Sequence, residues 1–533
     1  MSRPEVNVID TTMNTHPALT AAALGPLALM LLALASAGFV SALSGRLWRL
    51  YCVFSSGALA LAILAFLVPL PAVDAQGWLV STRLGLGMAL LVQLLGTVIG
   101  VFSARYLQGE RGQRRFVAAL SGVLASVHLL ILADHWVPLI LAWALVGFAL
   151  QPLLCFYPDR PFAMLAAHKK RLADRLADGL LLLAAGLAWR SVGSGSLSAL
   201  SAHSAAGALE PALQVSAVLL VLAVILRTAL LPVHGWLIQV MEAPTPVSAL
   251  LHAGVVNLGG YILIRFAPLL EQAELARWLL VFFGLGTAVL AGLVMLTRVS
   301  IKVRLAWSTV AQMGFMLLEC GLGLYTLAAL HLFGHSLYKA HAFLSASMTV
   351  RQTRLKFMRG QHKTAALSLW MAPIAAAGVV ALLQSVLLPD AWPWWWSLAL
   401  GLAWAPLLWL DVPLTRLDAG FLRRGVTGMF MVTGLTLLAL FFHLLPLGVT
   451  DAPHHFLGVV ALVGLAVLYV SMALLKTQPR VVEGWRRWSY AGFYVDEYYT
   501  RLTLWLWPAR WTVDAPPKTP PIPTVTNATR TTL

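Results

Sequence analysis

Long apolar segments alternate with short polar connections over most of the chain. A helix of about 20 apolar residues spans the hydrocarbon core of a bilayer, so this pattern predicts membrane-spanning helices. About 15 such segments are predicted, at roughly 18–43, 50–70, 78–102, 116–133, 136–156, 176–192, 211–231, 244–267, 277–297, 303–322, 324–349, 365–388, 394–410, 425–446 and 456–475. We therefore expect an all-α polytopic membrane protein with about 14–15 transmembrane helices.

The same pattern divides the chain into a transmembrane domain and its flanks. A short N-terminal segment, 1–17, precedes the transmembrane domain at 18–475. Residues 476–511 are basic and aromatic and include Phe493-Tyr-Val-Asp-Glu-Tyr-Tyr. They are expected to form either an amphipathic helix on the membrane surface or a partner-docking segment. The Pro- and Thr-rich tail at 512–533 is expected to be disordered.

Composition agrees with a membrane location. Of 533 residues, 59% are hydrophobic and only 11% are charged, which is more apolar surface than a soluble domain hides. The formal net charge of +16 would suggest nucleic-acid binding in a soluble protein, but here the basic residues lie between the apolar segments. The three cysteines are isolated, so neither a disulfide framework nor a cysteine zinc site is expected.

The basic residues are divided unevenly between the two sides of the predicted membrane domain. If the segments alternate in direction, 22 Lys and Arg residues of the connections fall on one side and three on the other. Cytoplasmic connections are enriched in Lys and Arg, so the basic side is predicted to be cytoplasmic. This places the N-terminus outside and the C-terminus in the cytoplasm.

One stretch combines a charge, a helix break and a histidine at bilayer depth. Arg227 lies near the end of an apolar segment, and Pro232 interrupts the helix shortly afterwards. Glu242 is a candidate counter-ion in the connection, and His252 lies about two turns into the next segment. Such groups usually mark an ion path, so we interpret them as part of a proton pathway. The alternatives are that Arg227 extends to the interface and that His252 is a hydrogen-bonded core residue.

A second stretch carries four titratable residues close together: His331, His335, Lys339 and His341. The first three recur every fourth residue and so form one stripe about 12 Å long on a helix. Groups at this spacing can relay a proton through intervening water, and the ordinary pKa of histidine lies near neutrality. The alternative is hydrogen bonding between helices. A metal site is not favoured, because no carboxylate lies nearby in the sequence.

Three further residues are weaker candidates for the pathway. Arg175 and Asp178 begin an apolar segment on its predicted cytoplasmic side, where they and Asp174 can equally form a surface ion-pair cluster. Lys302 is either a topology signal or part of the path. Of two other acidic residues, Asp134 is expected to lie at the membrane interface and Glu319 to face the outer water.

These stretches resemble the antiporter-like subunits of respiratory complex I, Mrp antiporters and membrane hydrogenases. The resemblance covers roughly residues 90–365 and rests on the runs Arg227 to Arg265, Lys302 to Gly314 and His331 to Lys339, with Arg175-x-x-Asp178. It implies an antiporter-like fold with inverted repeats and broken helices that conducts protons along a line of polar residues at mid-membrane. The residues that match the family by position are His252, Lys302, His331, His335 and Lys339.

The chain also departs from that family. Arg227 stands where the family has a lysine and Ala144 where it has a glutamate, so the family's lysine–glutamate pair is missing. Arginine keeps its proton, so Arg227 can supply an electric field but cannot cycle charge. The segment 365–388 lacks the family's paired prolines and lysine, and no long lateral helix is recognisable after residue 475.

A shorter group within the family is more similar, namely the DabB-type membrane subunits of two-component inorganic carbon transporters. This resemblance implies a subunit of the bacterial inner membrane that uses protons or another coupling cation to accumulate CO2 or bicarbonate, and that is not itself an enzyme. It implies no cofactor in this chain and a cytoplasmic, carbonic-anhydrase-like DabA-type partner that holds zinc. The alternatives are a subunit of a respiratory or hydrogenase-type complex and an Mrp-type cation/proton antiporter subunit.

Overall fold

The described part of the chain is a bundle of helices. The computed structural model describes residues 17–39, 45–68, 74–75, 77–346, 365–410, 419–478 and 480–508. Within these ranges the only strands are two of two residues each, Asp74–Ala75 (β1) and Leu79–Val80 (β2), which pair antiparallel. The predicted all-α class is therefore confirmed.

The α-helices follow the predicted apolar segments closely. The N-terminal helices are α1 Pro17–Phe39, α2 Arg46–Leu67, α3 Arg83–Tyr106, α4 Gln113–Leu132, α5 Trp136–Leu154, α6 Pro161–Val192, α7 Leu197–Ala205 and α8 Pro211–Arg227. The central helices are α9 Gly235–Gln239, α10 Thr245–Ala253, α11 Leu258–Arg265, α12 Ala267–Gln272, α13 Glu274–Thr297, α14 Ile301–Leu322 and α15 Tyr325–Leu344. The C-terminal helices are α16 Ala366–Leu387, α17 Trp394–Trp404, α18 Ala419–His443, α19 His455–Thr477, α20 Glu483–Tyr490 and α21 Val495–Leu506.

Eleven of the described helical segments are long and apolar enough to cross a membrane. This is fewer than the 14–15 predicted, because four helices that coincide with predicted segments are shorter or more polar than an ordinary span. They are α6, α8, α15, and α17 with the 3-10 turn Ala405–Leu408. Three of these, α6, α8 and α15, carry charged or titratable residues singled out in the sequence.

Large apolar side chains cover the outside of the bundle. Phe148 on α5 is 74% exposed, Phe282 on α13 is 71% exposed and Phe430 on α18 is 73% exposed. Exposed aromatic surface of this kind is unfavourable in water and is normal where lipid is the solvent. The exposed surface and the apolar helices together describe a multi-pass membrane protein.

The predicted helix break after Arg227 is confirmed. Helix α8 ends at Arg227, and the five-residue α9 leads into the 3-10 turn Val240–Glu242. Pro232, which lies between α8 and α9, cannot donate a backbone hydrogen bond and so cannot continue the helix. A second break at Gly254 separates α10 from α11. Irregular backbone at membrane depth is tolerated where protein or a water-filled cavity surrounds it, so both breaks mark the interior of the bundle as polar.

Helix α6 begins well before its predicted start at 176. It runs from Pro161, a residue suited to the first turn, to a C-cap at Gly193 with a left-handed φ of 73°. The early part carries Lys169 and Lys170, which are 0% and 4% exposed. In the sequence, these charged residues look like part of a polar connection between two helices. In the structure, both lysines point into the bundle.

Helices α13 and α14 pack closely through glycine. A Cβ on Gly284 would lie 2.8 Å from the Gly314 carbonyl oxygen and 2.8 Å from the Leu318 amide nitrogen. Small residues at such contacts let helix backbones approach closely within a membrane. The contact fixes α14, which carries Lys302 and Glu319, against the rest of the bundle.

Gly284→Ala is expected to destabilise the protein by about 1–3 kcal/mol, because α13 and α14 must separate to admit the methyl group. Gly286→Ala is the matched control, since a Cβ at Gly286 would meet no atom within 4 Å. Thermal unfolding in mild detergent measures the difference. Equal unfolding midpoints for the two variants would contradict the close contact.

Candidate ion-conducting site

One face of α15 carries three of the predicted pathway residues. The rings of His331 and His335 lie 6.0 Å apart between centroids. His335 and Lys339 are 6% and 0% exposed, so the predicted stripe forms a line inside the bundle. Its part in proton transfer stays a prediction.

The stripe begins at a hydrogen bond to α14. His331 Nδ1 lies 2.8 Å from Glu319 Oε2. Glu319 is 4% exposed, so the expectation that it faces the outer water is wrong. Both residues and His335 line a mostly apolar cavity of about 560 Å³. His331 Nε2 and both ring nitrogens of His335 are buried and have no hydrogen-bond partner among the described residues.

Lys339 lies at the other end of the stripe without a carboxylate partner in the described part of the chain. Its Nζ donates to the Leu305 carbonyl oxygen at 3.0 Å and to Ser308 Oγ at 2.8 Å. Neutral acceptors satisfy the ammonium without fixing its charge as a carboxylate would. Lys339 is therefore held in place by α14 while remaining chemically able to give up a proton.

His252 on α10 continues the line beyond α15. Its ring is fully buried and stacks on Phe343 with 4.6 Å between centroids. Phe343 follows Lys339 by about one turn of α15, so His252 lies near the Lys339 end of the stripe. Neither ring nitrogen has a hydrogen-bond partner among the described residues, so His252 is not the hydrogen-bonded core histidine of the alternative interpretation.

Polar contacts join the broken α10–α11 segment to its neighbours. Lys302 Nζ on α14 donates to Thr245 Oγ1 at 2.9 Å, at the start of α10. Asn257 Nδ2, just beyond the Gly254 break, donates to Ser336 Oγ on α15 at 2.7 Å. Lys302 thus lies beside the helix that carries His252, and the break is held against the stripe.

A second charged cluster surrounds Arg227. Arg227 forms an ion pair with Asp178 on α6, and its Nη1 donates to the Trp143 carbonyl oxygen at 2.7 Å. The guanidinium also lies over the Trp143 ring, 4.7 Å from the centroid. Only 4% of the Arg227 side chain is exposed, which excludes the alternative that it extends to the interface. One turn earlier on α6, Lys170 Nζ lies 2.6 Å from Asp174 Oδ2, and both residues are buried. The expected surface cluster is thus mainly internal.

Three predicted pathway residues lie apart from these lines. Glu242 is not the counter-ion of Arg227, because Asp178 takes that place. The backbone carbonyl oxygen of Glu242 accepts from Arg160 Nη1 at 2.5 Å. Arg175 is 70% exposed and lies 3.6 Å from Asp178, at the edge of the cluster. His341 is exposed, since it follows Lys339 by two residues and so points to the other side of α15.

Asp134 is also buried, with 2% exposed. Its Oδ1 lies 2.9 Å from Arg265 Nη2, and its Oδ2 accepts from Ser198 Oγ at 2.6 Å. Its interfacial position stays a prediction. The pair joins the end of α4 to the end of α11.

A carboxylate from the C-terminal segment completes the Arg227 region. Asp496 Oδ1 lies 2.8 Å from Lys169 Nζ, and Asp496 Oδ2 accepts from Gln239 Nε2 at 2.9 Å. Asp496 lies directly on Gly235, where any Cβ would overlap its carboxylate. The C-terminal segment therefore docks onto the broken helix of the membrane domain. Sequence reasoning missed this contact; the available signal was an acidic pair, Asp496-Glu497, in an otherwise basic and aromatic segment.

Metal-ligating side chains do not gather in the described ranges. No group of three or more His, Cys, Asp or Glu residues there is arranged to hold a metal ion. The closest pairing of this kind, Glu319 with His331, supplies only two ligands.

Comparisons with known proteins identify the family of this chain. The family model for the transmembrane region of NADH:quinone oxidoreductase and Mrp antiporter subunits matches residues 133–395. A Hydrogenovibrio crunogenus protein named "Probable inorganic carbon transporter subunit DabB" is 38% identical over 467 residues, which are 84% of this chain and 86% of that protein. The chain belongs to the DabB family. A DabB2 relative from Halothiobacillus neapolitanus is 46% identical over 301 residues, covering 56% of this chain and 54% of that protein.

More distant relatives define the wider family. Subunit L of NADH-quinone oxidoreductase from Mycobacterium tuberculosis is 33% identical over 271 residues, covering 50% of this chain and 43% of that protein. The solved Mrp complex from Dietzia sp. DQ12-45-1b has a TM-score of 0.58 at 22% identity, covering 91% of this chain and 60% of that one. The predicted antiporter-like fold is confirmed.

Asp496→Asn is expected to release the C-terminal segment, because it leaves the buried ammonium of Lys169 without a carboxylate. Hydrogen–deuterium exchange of α20 and α21 should become faster by roughly tenfold or more. Glu497→Gln is the matched control, since Glu497 is exposed and adjacent.

Gly235→Ala tests the same docking contact independently, because the added methyl group would displace Asp496 without changing any charge. It should raise exchange in the same helices. Exchange as slow in Asp496→Asn as in Glu497→Gln would contradict docking through Asp496.

Proposed function

We propose that this chain is the proton-conducting membrane subunit of an energy-coupled complex that accumulates inorganic carbon as CO2 or bicarbonate. The observation that carries the proposal is the buried line from Glu319 through His331, His335 and Lys339 to His252, in a chain of the DabB family. Buried titratable groups are costly inside a membrane and are kept where they move or bind ions. In this role the chain transports ions and is not an enzyme.

The α14–α15 cavity is the entry of the proposed path. A proton arriving there binds the Glu319–His331 pair and crosses its 2.8 Å hydrogen bond. Transfer between the His331 and His335 rings, 6.0 Å apart, runs through a bridging water. The Lys339 ammonium first gives a proton toward His252, and the neutral amine then takes the proton from His335, so each carrier returns to its starting state after one proton has moved.

Arg227 supplies a fixed charge beside this path. Arginine keeps its proton, so a proton that enters the second cluster travels on Asp178, Asp174 or Lys170. The positive charge of Arg227 opposes protonation of its partner Asp178 as long as the two remain paired. Asp178 can take a proton once another group has replaced it beside Arg227. Lys302 and the α6 residues lie along the cytoplasmic side of the proposed path.

The proposed orientation follows from the basic connections. With 22 basic residues on one side against three on the other, the N-terminus lies outside and the C-terminus in the cytoplasm of the bacterial inner membrane. Protons or another coupling cation then move inward through the line, down their gradient.

The proposed partner is a cytoplasmic DabA-type subunit that holds zinc and hydrates CO2 in the manner of a carbonic anhydrase. The support is that the relatives of this chain are named as transporter subunits. A zinc ion lowers the pKa of a bound water and so generates the nucleophile that attacks CO2. The hydration releases a proton, which links the partner's chemistry to an ion-conducting membrane subunit.

A second candidate function is that of an antiporter-like subunit in a respiratory or Mrp-type complex. The observation in its favour is the similarity to subunit L of NADH-quinone oxidoreductase. The loss of the family's lysine–glutamate pair at Arg227 and Ala144 argues for the carbon-accumulating complex instead. The two candidates differ in the partners that they require.

Lys339→Ala and His335→Ala are expected to reduce uptake of labelled inorganic carbon by roughly 100-fold, because each removes a proton carrier. Uptake is measured in cells that express the variant with its partner. The matched control is His341→Ala, which removes an exposed histidine from the same helix and should retain uptake. Normal membrane levels of each variant are checked by immunoblotting, and undiminished uptake in Lys339→Ala would rule out the relay.

Affinity purification of the chain in mild detergent is expected to recover a soluble protein that contains zinc. Mass spectrometry identifies the partner, and elemental analysis of the complex measures its metal. Recovery of a set of other membrane subunits, with flavin or iron–sulfur clusters, would support the respiratory candidate and overturn the proposed partner.

A further inference from the structure

A second cavity lies where α13 and α19 end on the predicted cytoplasmic side. Its volume is about 690 Å³, which is within the range of small-molecule sites. Its walls are mainly apolar and are formed by the ends of α13 and α19 and by the chain after α17. The apolar lining includes Met295, Leu296, Val299, Pro406, Met472 and Leu475.

Two cations line this cavity without an acidic partner in the described part of the chain. Lys476 lies in the last turn of α19, and its Nζ lies over the Trp409 ring, 5.0 Å from the centroid. Arg486 comes from α20, and Tyr490 from the same helix closes that side of the cavity. The neighbouring Arg487 points elsewhere, since it is 77% exposed and pairs with Glu483 at 2.6 Å.

A third cation lies behind Tyr490. The guanidinium of Arg298 lies 5.8 Å from the Tyr490 ring centroid and 5.4 Å from that of Trp307. Its Nε is buried without a hydrogen-bond partner among the described residues. The walls of the cavity thus carry the positive charges of Lys476 and Arg486 and no carboxylate of the described residues.

The cavity opens sideways to the outer surface of the bundle rather than into the ion path. Val299 is 91% exposed and Tyr490 is 65% exposed. Trp485 and Trp488 on α20 are 43% and 56% exposed, as is common for aromatic residues at the level of lipid headgroups. The opening therefore lies at the boundary between headgroups and acyl chains.

We propose that this cavity binds one anionic phospholipid. Its phosphate pairs with Lys476 and Arg486, and one acyl chain lies along the apolar ends of α13 and α19. Basic pockets between transmembrane helices on the cytoplasmic side have the chemistry that recognises such headgroups. The lipid would also hold α20 against the membrane domain, since Arg486 and Tyr490 both belong to α20.

The test uses the full chain reconstituted in nanodiscs of phosphatidylcholine, with or without added phosphatidylglycerol. Native mass spectrometry counts the phosphatidylglycerol that stays bound after detergent release. The wild type should retain it in preference to phosphatidylcholine. Removing each charge should weaken retention roughly fivefold, so the double variant Lys476→Gln with Arg486→Gln should lose the preference.

Arg487→Gln is the matched control, because it removes a charge from the same helix but outside the cavity. It should keep the wild-type preference. Circular dichroism and melting in phosphatidylcholine alone show whether the double variant is folded, and the single variants replace it if it is not. Equal retention by the wild type and a folded cavity variant, or retention of inorganic phosphate but not of phosphatidylglycerol, would overturn the proposal.

Discussion

Charge persists inside an apolar bundle only where it is paired or where it is used, and this constraint organises the structure around α6. Three cations from α6 and α8 each meet one carboxylate: Lys169 meets Asp496, Lys170 meets Asp174, and Arg227 meets Asp178. Removing one partner of a buried pair costs about 3–5 kcal/mol, so these contacts fix the positions of α6, α8 and the C-terminal segment relative to one another. The broken helix at Pro232 lies between two of the pairs and is held by them.

His335 and Lys339 on α15, and His252 beside them, are not paired with carboxylates of the described residues. Lys339 is as deeply buried as Lys169, yet neutral oxygens of α14 accept its hydrogen bonds. His252 and His335 have no partner at either ring nitrogen among the described residues. The charges around α6 are thus held in pairs, whereas His335, Lys339 and His252 have no carboxylate partner among the described residues, an arrangement that suits a conducting path beside a fixed charge. In the wider family the resemblance implies a lysine–glutamate pair; here an arginine takes the lysine position, and its carboxylate comes from α6 instead of the α5 position occupied by Ala144.

The sequence predicted what depends on local pattern. The lengths of the apolar segments located the helices, and a proline located the break after Arg227. The recurrence of titratable residues at every fourth position located the buried stripe of α15. It failed where a contact joins distant parts of the chain, as for Asp496 on Lys169 and Glu319 on His331. It also misjudged polar residues whose direction depends on packing: His341 points outward, and the early lysines of α6 point inward. Periodicity gives the faces of one helix, but only the tertiary fold shows which face meets a partner.

Proton conduction along the buried line is tested most directly by measuring proton flux across a membrane. The chain and its partner are reconstituted in liposomes that contain a pH-sensitive dye, and a potassium gradient with valinomycin imposes a membrane potential. If the line conducts protons, the potential should drive acidification or alkalinisation of the lumen well above that of protein-free liposomes when substrate for the partner is present. Proton flux equal to that of protein-free liposomes, in vesicles shown to contain the assembled complex, would contradict it.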